Sequence, residues 1–380
     1  MSLCVFALIA SEFMPVSLLT PMAADLGISE GAAGQGITIS GAFAVLTSLS
    51  LSRLAAGINR KTLLLLLTAL MALSGLIVAL SSNFLLYMVG RALIGVVVGG
   101  FWSMSAAMAM RLVPEDQVPR ALAIFNGGNA LATVIAAPLG SYLGAVVGWR
   151  GAFFCLVPVA GLALIWQWIS LPSMMPQPSS LGGGNALSLL RKRAIALGMA
   201  ACGVFFIGQF ALFTYVRPFL ETVVHVNAAT LSLILLAMGV AGLIGTTVVG
   251  VVLKRSLFGT LIAIPLLMAL IAVLLLAFGT SGFAVAVLLT VWGLLATAAP
   301  VGWWSWIARA MPGNAEVGGG VMVAVVQLAI ASGSTIGGVL FDGVGYQGTF
   351  AVSAVALMMA ALMAFVASPA RGGAGRGTAV

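Results

Sequence analysis

Apolar runs of about 20 residues recur roughly a dozen times along this chain, and no other feature constrains its fold as strongly. About 20 such residues in a helix cross the ~30 Å hydrocarbon core of a bilayer. Runs of that length exclude the alternating ~10-residue pattern of an outer-membrane barrel. Charged residues make up only 6% of the 380, against about 25% in a soluble domain, too few to cover a soluble surface. The mean hydropathy of +1.21 agrees. The sequence predicts an all-α polytopic membrane protein.

Breaks at Pro, Gly, Asn and charge clusters divide the runs. They predict six spans over about 3–24, 36–57, 62–81, 84–110, 120–146 and 151–171, and six more over about 194–216, 229–253, 257–279, 283–309, 317–341 and 347–368. The expected plan is an N-terminal six-helix half (1–171), a linker loop (172–193) and a C-terminal six-helix half with a short tail (194–380). Alternating the sides places Arg53, Arg60, Lys61, Arg111, Arg120, Arg191, Lys192, Arg193, Lys254, Arg255, Arg309, Arg371 and Arg376 together. Only Arg150 and Arg217 fall opposite, with Arg91 inside the fourth span. By the positive-inside bias both termini and the linker are expected in the cytoplasm. The sixteen basic residues punctuate the gaps instead of forming one face, which argues against nucleic-acid binding.

The predicted halves repeat. Residues 137–154 align without gaps on 334–351, and Gly140/Gly337, Gly148/Gly345, Gly151/Gly348 and Phe153/Phe350 coincide. Arg111-x-x-Pro114 corresponds to Arg309-x-x-Pro312. Two similar halves around a midplane site are the plan of a secondary transporter. There is no G-x-x-x-x-G-K-[ST] phosphate loop, so energy is expected from a gradient. Cys4, Cys155 and Cys202 share no metal-like spacing, and His225 is the single histidine; no metal and no enzyme chemistry is expected. The N-terminal run has no positive leader and carries Glu12, which favours a true span over a cleaved signal peptide.

Glu12 is the acid expected inside a span, and its penalty in lipid falls once it is protonated, which suits a proton cycle. The alternative is a span that begins late, with Glu12 snorkelling to the surface. Arg91, Gly95 and Gly99 share one face of the fourth span. The guanidinium needs an acceptor, either the Glu12 carboxylate or backbone carbonyls. Candidate substrate contacts are Trp102, Asn129, Gln209, Phe213 and Gln327, since buried amides need partners in lipid. Ser105 shares the Arg91–Trp102 stripe, and Asn126 and Thr133 flank Asn129. Trp303, Trp304 and Trp306 read as an interfacial belt. Each aromatic has packing or lipid contact as its plain alternative.

Arg91-x-x-x-Gly95-x-x-x-Gly99 resembles the fourth-helix arginine motif of the major facilitator superfamily, which implies a role in proton coupling. Residues 52–61 (SRLAAGINRK) resemble its second-to-third-helix loop in Arg60 and Lys61, the expected gating pair, but Ala56 replaces the usual acid and Asn59 a glycine. Ala137-Pro138-Leu139-Gly140 is similar to the antiporters' fifth-helix motif. The segments EFMPVSLLTPMAADLGIS, GGFWSMSAAMAMRLVP, FTYVRP and PVGWWSWIAR resemble the purine ribonucleoside exporters of the drug–proton antiporter group. That likeness implies a monomeric inner-membrane proton antiporter exporting inosine and guanosine, with no cofactor beyond the proton gradient. Sugar, arabinose or drug exporters of the same fold are the alternative. A non-transporting membrane sensor is a third, and would need a soluble domain that the short 172–193 loop does not provide.

Overall fold

The computed structural model describes residues 2–54, 57–111, 118–174, 193–310 and 315–368, without the side chains of 52–54, 103, 105–111, 118–127, 130, 133, 308 and 315–320. The Arg-x-x-Pro correspondence, most of the linker, and the side chains of Arg53, Ser105, Asn126 and Thr133 therefore lie outside the described residues. The described elements are all helical: α1 (Ser2–Phe13), a 3-10 turn (Met14–Leu18), α2 (Leu19–Leu26), α3 (Glu30–Leu54), α4 (Arg60–Ala79), α5 (Phe84–Arg111) and α6 (Val118–Ser170) come first. Then follow α7 (Arg193–Phe213), α8 (Val216–Thr222), α9 (Ala228–Arg255), α10 (Leu257–Phe278), α11 (Gly282–Ala310), α12 (Ala315–Val344) and α13 (Tyr346–Val366). Among the described residues, 11 helical stretches are long and apolar enough to cross a membrane.

Glycine chemistry sets the breaks. Gly148 interrupts α6 at φ 76°, ψ 164°, between the fifth and sixth predicted spans. Gly345 adopts φ 82°, ψ −170° between α12 and α13. Both conformations belong essentially to glycine, so the aligned pair read from the sequence marks one backbone device used twice. Other boundaries are capped: the side chains of Asn59, Asn227 and Ser256 accept from the amides of Lys61, Thr230 and Gly259. The Asn59 cap explains an amide where the resemblance led us to expect glycine. Asn59 also donates to the Ser173 hydroxyl (2.6 Å) and accepts from Met174 N–H, docking the end of α6 on this turn.

Helix contacts repeat as well. A Cβ on Gly95 of α5 would run into the carbonyl of Ser40 on α3, and one on Gly99 into Ala44. The corresponding contacts 198 residues later are Gly293 of α11 against Met238 of α9, and Gly242 of α9 against Thr297 of α11. Close backbone approach through small residues is how helices associate where lipid removes the hydrophobic drive. Gly95→Val should thus destabilise the protein by about 1–3 kcal/mol, read as a lowered thermal midpoint in detergent. Gly161→Ala, with nothing within 4 Å of the added carbon, is the control and should be neutral or slightly stabilising. Equal effects of the two substitutions would contradict the contact.

The buried apolar residues divide along the chain. The largest cluster is drawn almost wholly from residues 195–364, and two others from residues 4–174. Phe13 packs against both the large cluster and one of the others, at the seam between them. Two expected spans are found with internal breaks, and one expectation is corrected. The first span is not one helix but α1, the 3-10 turn and α2, because Pro15 and Pro21 each lack the N–H that a continuous helix needs. The seventh is broken at Thr214–Tyr215, ahead of Pro218, into α7 and α8. Finally, Trp303 and Trp306 are buried and pack edge to face with ring centroids 6.1 Å apart, Trp306 filling the notch at Gly198. Only Trp304 of that group is largely exposed.

Candidate functional site

The site forms around the break in the first helix. Proline at position 15 deprives the Ser11 carbonyl of its i+4 donor, and the tightened turn loosens the partner of Glu12's carbonyl as well. Arg91 of α5 supplies the missing donors. Its Nη1 donates to Ser11 O at 2.7 Å, Nη2 to Glu12 O at 3.0 Å, and Nε to Gly36 O of α3 at 3.1 Å. The side chain is 1% exposed. A planar fork that reaches two helices at once is what guanidinium geometry offers and an ammonium does not. Of the two acceptors weighed for Arg91, the structure selects backbone carbonyls; it forms no ion pair with the Glu12 carboxylate among the described residues. One turn before Arg91, Tyr87 donates to Ala33 O of α3 at 3.2 Å, and Gly95 and Gly99 continue the same face onto α3.

Glu12, in α1, is 6% exposed and so is enclosed by the protein. Its side chain is packed inside the bundle and does not reach out to a surface as snorkelling would require. Its Oε1 accepts from Gln327 Nε2 of α12 at 3.3 Å, joining the first apolar core region to the second. Gln327 is 7% exposed and its Oε1 has no partner among the described residues. Next to Glu12, Phe13 meets Phe210 of α7 with centroids 5.8 Å apart, and Phe210 meets Phe213 edge to face at 5.8 Å. Phe206 stacks on Phe210 one turn earlier. Gln209, beside Phe210, is 8% exposed, and its Oε1 has no partner among the described residues. A carboxyl, two amides and an aromatic ladder thus converge at one level.

Trp102 and Asn129 lie on a different level. Trp102 is half-buried against the cluster that contains Cys4 and Leu8, eleven residues past Arg91, about 16 Å along α5. Gly128, beside Asn129, packs against the backbone of Ser2 at the start of α1. Both belong to the end of the bundle that holds Asn59. Arg60 and Lys61 also lie there, half-buried in the first turn of α4. Arg193, Lys254, Arg255 and Arg309 stand at the same end, while Arg150 and Arg217 lie near the Gly148 end.

From Glu12 towards the Gly148 end, the two regions are stitched by polar contacts. Thr38 of α3 bonds Thr335 of α12 at 2.8 Å, and Thr335 donates to Gln35 at 3.3 Å. Asp342 accepts from the Ser29 hydroxyl at 2.5 Å and from Gly31 N–H at 2.9 Å, where α3 begins. Arg217 of α8 donates to the Ser17 carbonyl and pairs with Glu221 at 2.7 Å. Gly140 and Gly144 of α6 leave room for Ser17 and Leu18 of the 3-10 turn, which places the Ala137–Gly140 motif against the break. Sequence reasoning missed Phe13, Phe210 and the Ser11 and Ser17 carbonyls; the signal for the carbonyls was Pro15 and Pro21, each four residues downstream.

Comparisons with known proteins agree with this architecture. Residues 1–333 match the model of the Major Facilitator Superfamily. The chain is 62% identical over 377 residues to the Transcription regulatory protein OpdE of Pseudomonas aeruginosa, covering 98% of this chain and 94% of that one. It is 42% identical over 360 residues to the Purine ribonucleoside efflux pump NepI of Salmonella enteritidis, covering 95% and 90%. A crystal structure of a POT family transporter in complex with 5-aminolevulinic acid superposes with a TM-score of 0.73 at 15% identity, over 97% of this chain and 95% of that one. That likeness supports the fold alone. With the family model and the 42% relative both spanning most of its length, the chain belongs to the Major Facilitator Superfamily.

Proposed function

We propose that this chain is a proton-coupled antiporter that exports purine ribonucleosides such as inosine and guanosine, by twelve crossings in two six-helix halves (1–171 and 194–380) joined by the 172–193 loop. The observation that carries the proposal is the buried Glu12 carboxyl, held by Gln327 across the seam with no cation paired to it among the described residues. A group in that position can take a proton from one side and surrender it to the other while the regions rock about the seam. Gln327 suits both forms: its amide N–H₂ donates to a carboxylate, and its free carbonyl oxygen can accept from a carboxylic acid. The Phe13–Phe210–Phe213 ladder offers flat faces for a bicyclic base, and Gln209 supplies an unsatisfied acceptor for its edge. Trp102 and Asn129, about 15 Å nearer the Asn59 end, would meet substrate on the way in.

The positive-inside bias of the basic residues supports a cytoplasmic Asn59 end, linker and termini, with the Gly148 end outside the inner membrane. The stitching from Glu12 to Asp342 then describes a protein closed to the outside. The name of the 62% relative favours a second reading, a membrane regulator of transcription. A regulator acting directly on DNA needs a basic soluble module, whereas fifteen of the sixteen basic residues here are scattered between spans and Arg91 lies within one. Transport therefore accounts for more of the chain, and any effect on transcription would follow from the solute moved.

Uptake of radiolabelled inosine into proteoliposomes, with and without an imposed pH gradient and with arabinose in parallel, tests the proposal. Gradient-dependent inosine movement that collapses with an uncoupler is expected. Arabinose moving alone would transfer the assignment to sugars, and movement of neither would overturn the substrate.

A further inference from the structure

The second proline of the broken helix creates a second orphaned carbonyl. Pro21 cannot donate to Ser17 O, and the donor that reaches it comes from the other half, Arg217 of α8. Arg217 is 6% exposed and also binds Glu221 one turn along its own helix through a single Nη2–Oε1 contact of 2.7 Å. The Nε of Arg217 and the Oε2 of Glu221 are both buried and have no partners among the described residues. A guanidinium and a carboxylate prefer two parallel bonds, so this pair is caught in a one-bond arrangement while Ser17 holds the other arm.

We infer that Arg217 is a two-position latch on the outer side of the transport path, bound to the Ser17 carbonyl when the halves are closed there and to both oxygens of Glu221 when they part. On opening, water reaches Ser17 O and satisfies the carbonyl that Pro21 leaves without a helical donor. The guanidinium meanwhile exchanges its lost bond for a second one to Glu221, so its charge is never left unpaired. Proline thus builds an acceptor that only the opposite half can fill. The latch rests on the transporter reading but not on the substrate, and its test follows the opening of the protein itself, so the two fail separately.

The test is a spin-label distance between exposed Ser82→Cys and Ser281→Cys, near the Gly148 end of each half, with the exposed Cys155 replaced, in nanodiscs. Arg217→Ala should raise the ratio of long to short distances about tenfold or more, the worth of one charge-assisted hydrogen bond. Pro21→Ala, which restores the N–H, should shift it the same way with Arg217 intact, and the double variant should open no further than the larger single effect. Glu221→Gln should do the opposite and favour the closed form, because it removes the second position. Arg217→Lys keeps one donor for Ser17 and should restore closure. A merely structural ion pair would make Arg217→Ala and Glu221→Gln shift together, and that result overturns the latch. So does an unchanged distribution in Pro21→Ala, which serves as the second test should Arg217→Ala fail to fold.

Discussion

Glu12→Gln will abolish transport driven by a pH gradient and leave substrate exchange across the membrane largely intact. Glutamine keeps the size and the carbonyl acceptor that Gln327 uses but cannot gain or lose a proton. A neutral amide in this buried position also avoids the penalty of a charge in a low-dielectric setting, so the variant should fold at least as well as the parent. The expected signature is split: no uphill accumulation under an imposed gradient, with counterflow of labelled against unlabelled substrate near the parental rate. Loss of both would point to a contact with substrate instead of a proton carrier. Retention of both would remove Glu12 from the coupling, leaving the family's drive to come from elsewhere in the chain.

How much of this was legible beforehand depended on whether a residue's requirement is local. The repeat could be read because Gly148 and Gly345 meet a demand of their own backbone, a positive φ that few other residues tolerate. Helix starts at Asn59 and Asn227 were legible for a similar reason. The enclosure of Glu12 was legible from its place inside an apolar run. The partner of Arg91 stayed open between the Glu12 carboxylate and backbone carbonyls, because nothing local to Arg91 shows that Pro15 exposes carbonyls on another helix. The pairing of Gln327 with Glu12 is separated by 315 residues and leaves no periodic trace. Trp303 and Trp306 misled for a related reason: position near a span end suggests an interface, but helix rotation turned both rings into the core.

Arg91→Ala will be the most destabilising single change at the site, for a reason that has nothing to do with the charge of Glu12. Removing the guanidinium strands three carbonyls, those of Ser11, Glu12 and Gly36, inside the bundle. Each buried acceptor left alone costs about 1–3 kcal/mol, partly offset because an expensive buried cation is removed. A net loss of about 3–5 kcal/mol is expected, visible as a large drop in the thermal midpoint of purified protein. Arg91→Lys should recover only part of it, since one ammonium cannot span carbonyls on α1 and α3 together. The decisive comparison is the double variant with Glu12→Gln. If Arg91 neutralised the carboxylate, removing both would be far milder than the sum of the singles, because the stranded charge would be gone. With backbone carbonyls as acceptors, residue 12 is irrelevant to the loss, and the two effects should add to within about 0.5 kcal/mol. Strong positive coupling in that cycle would restore the ion pair and demote the carbonyls; additivity would identify Arg91 as the clamp that holds the broken helix open beside Glu12.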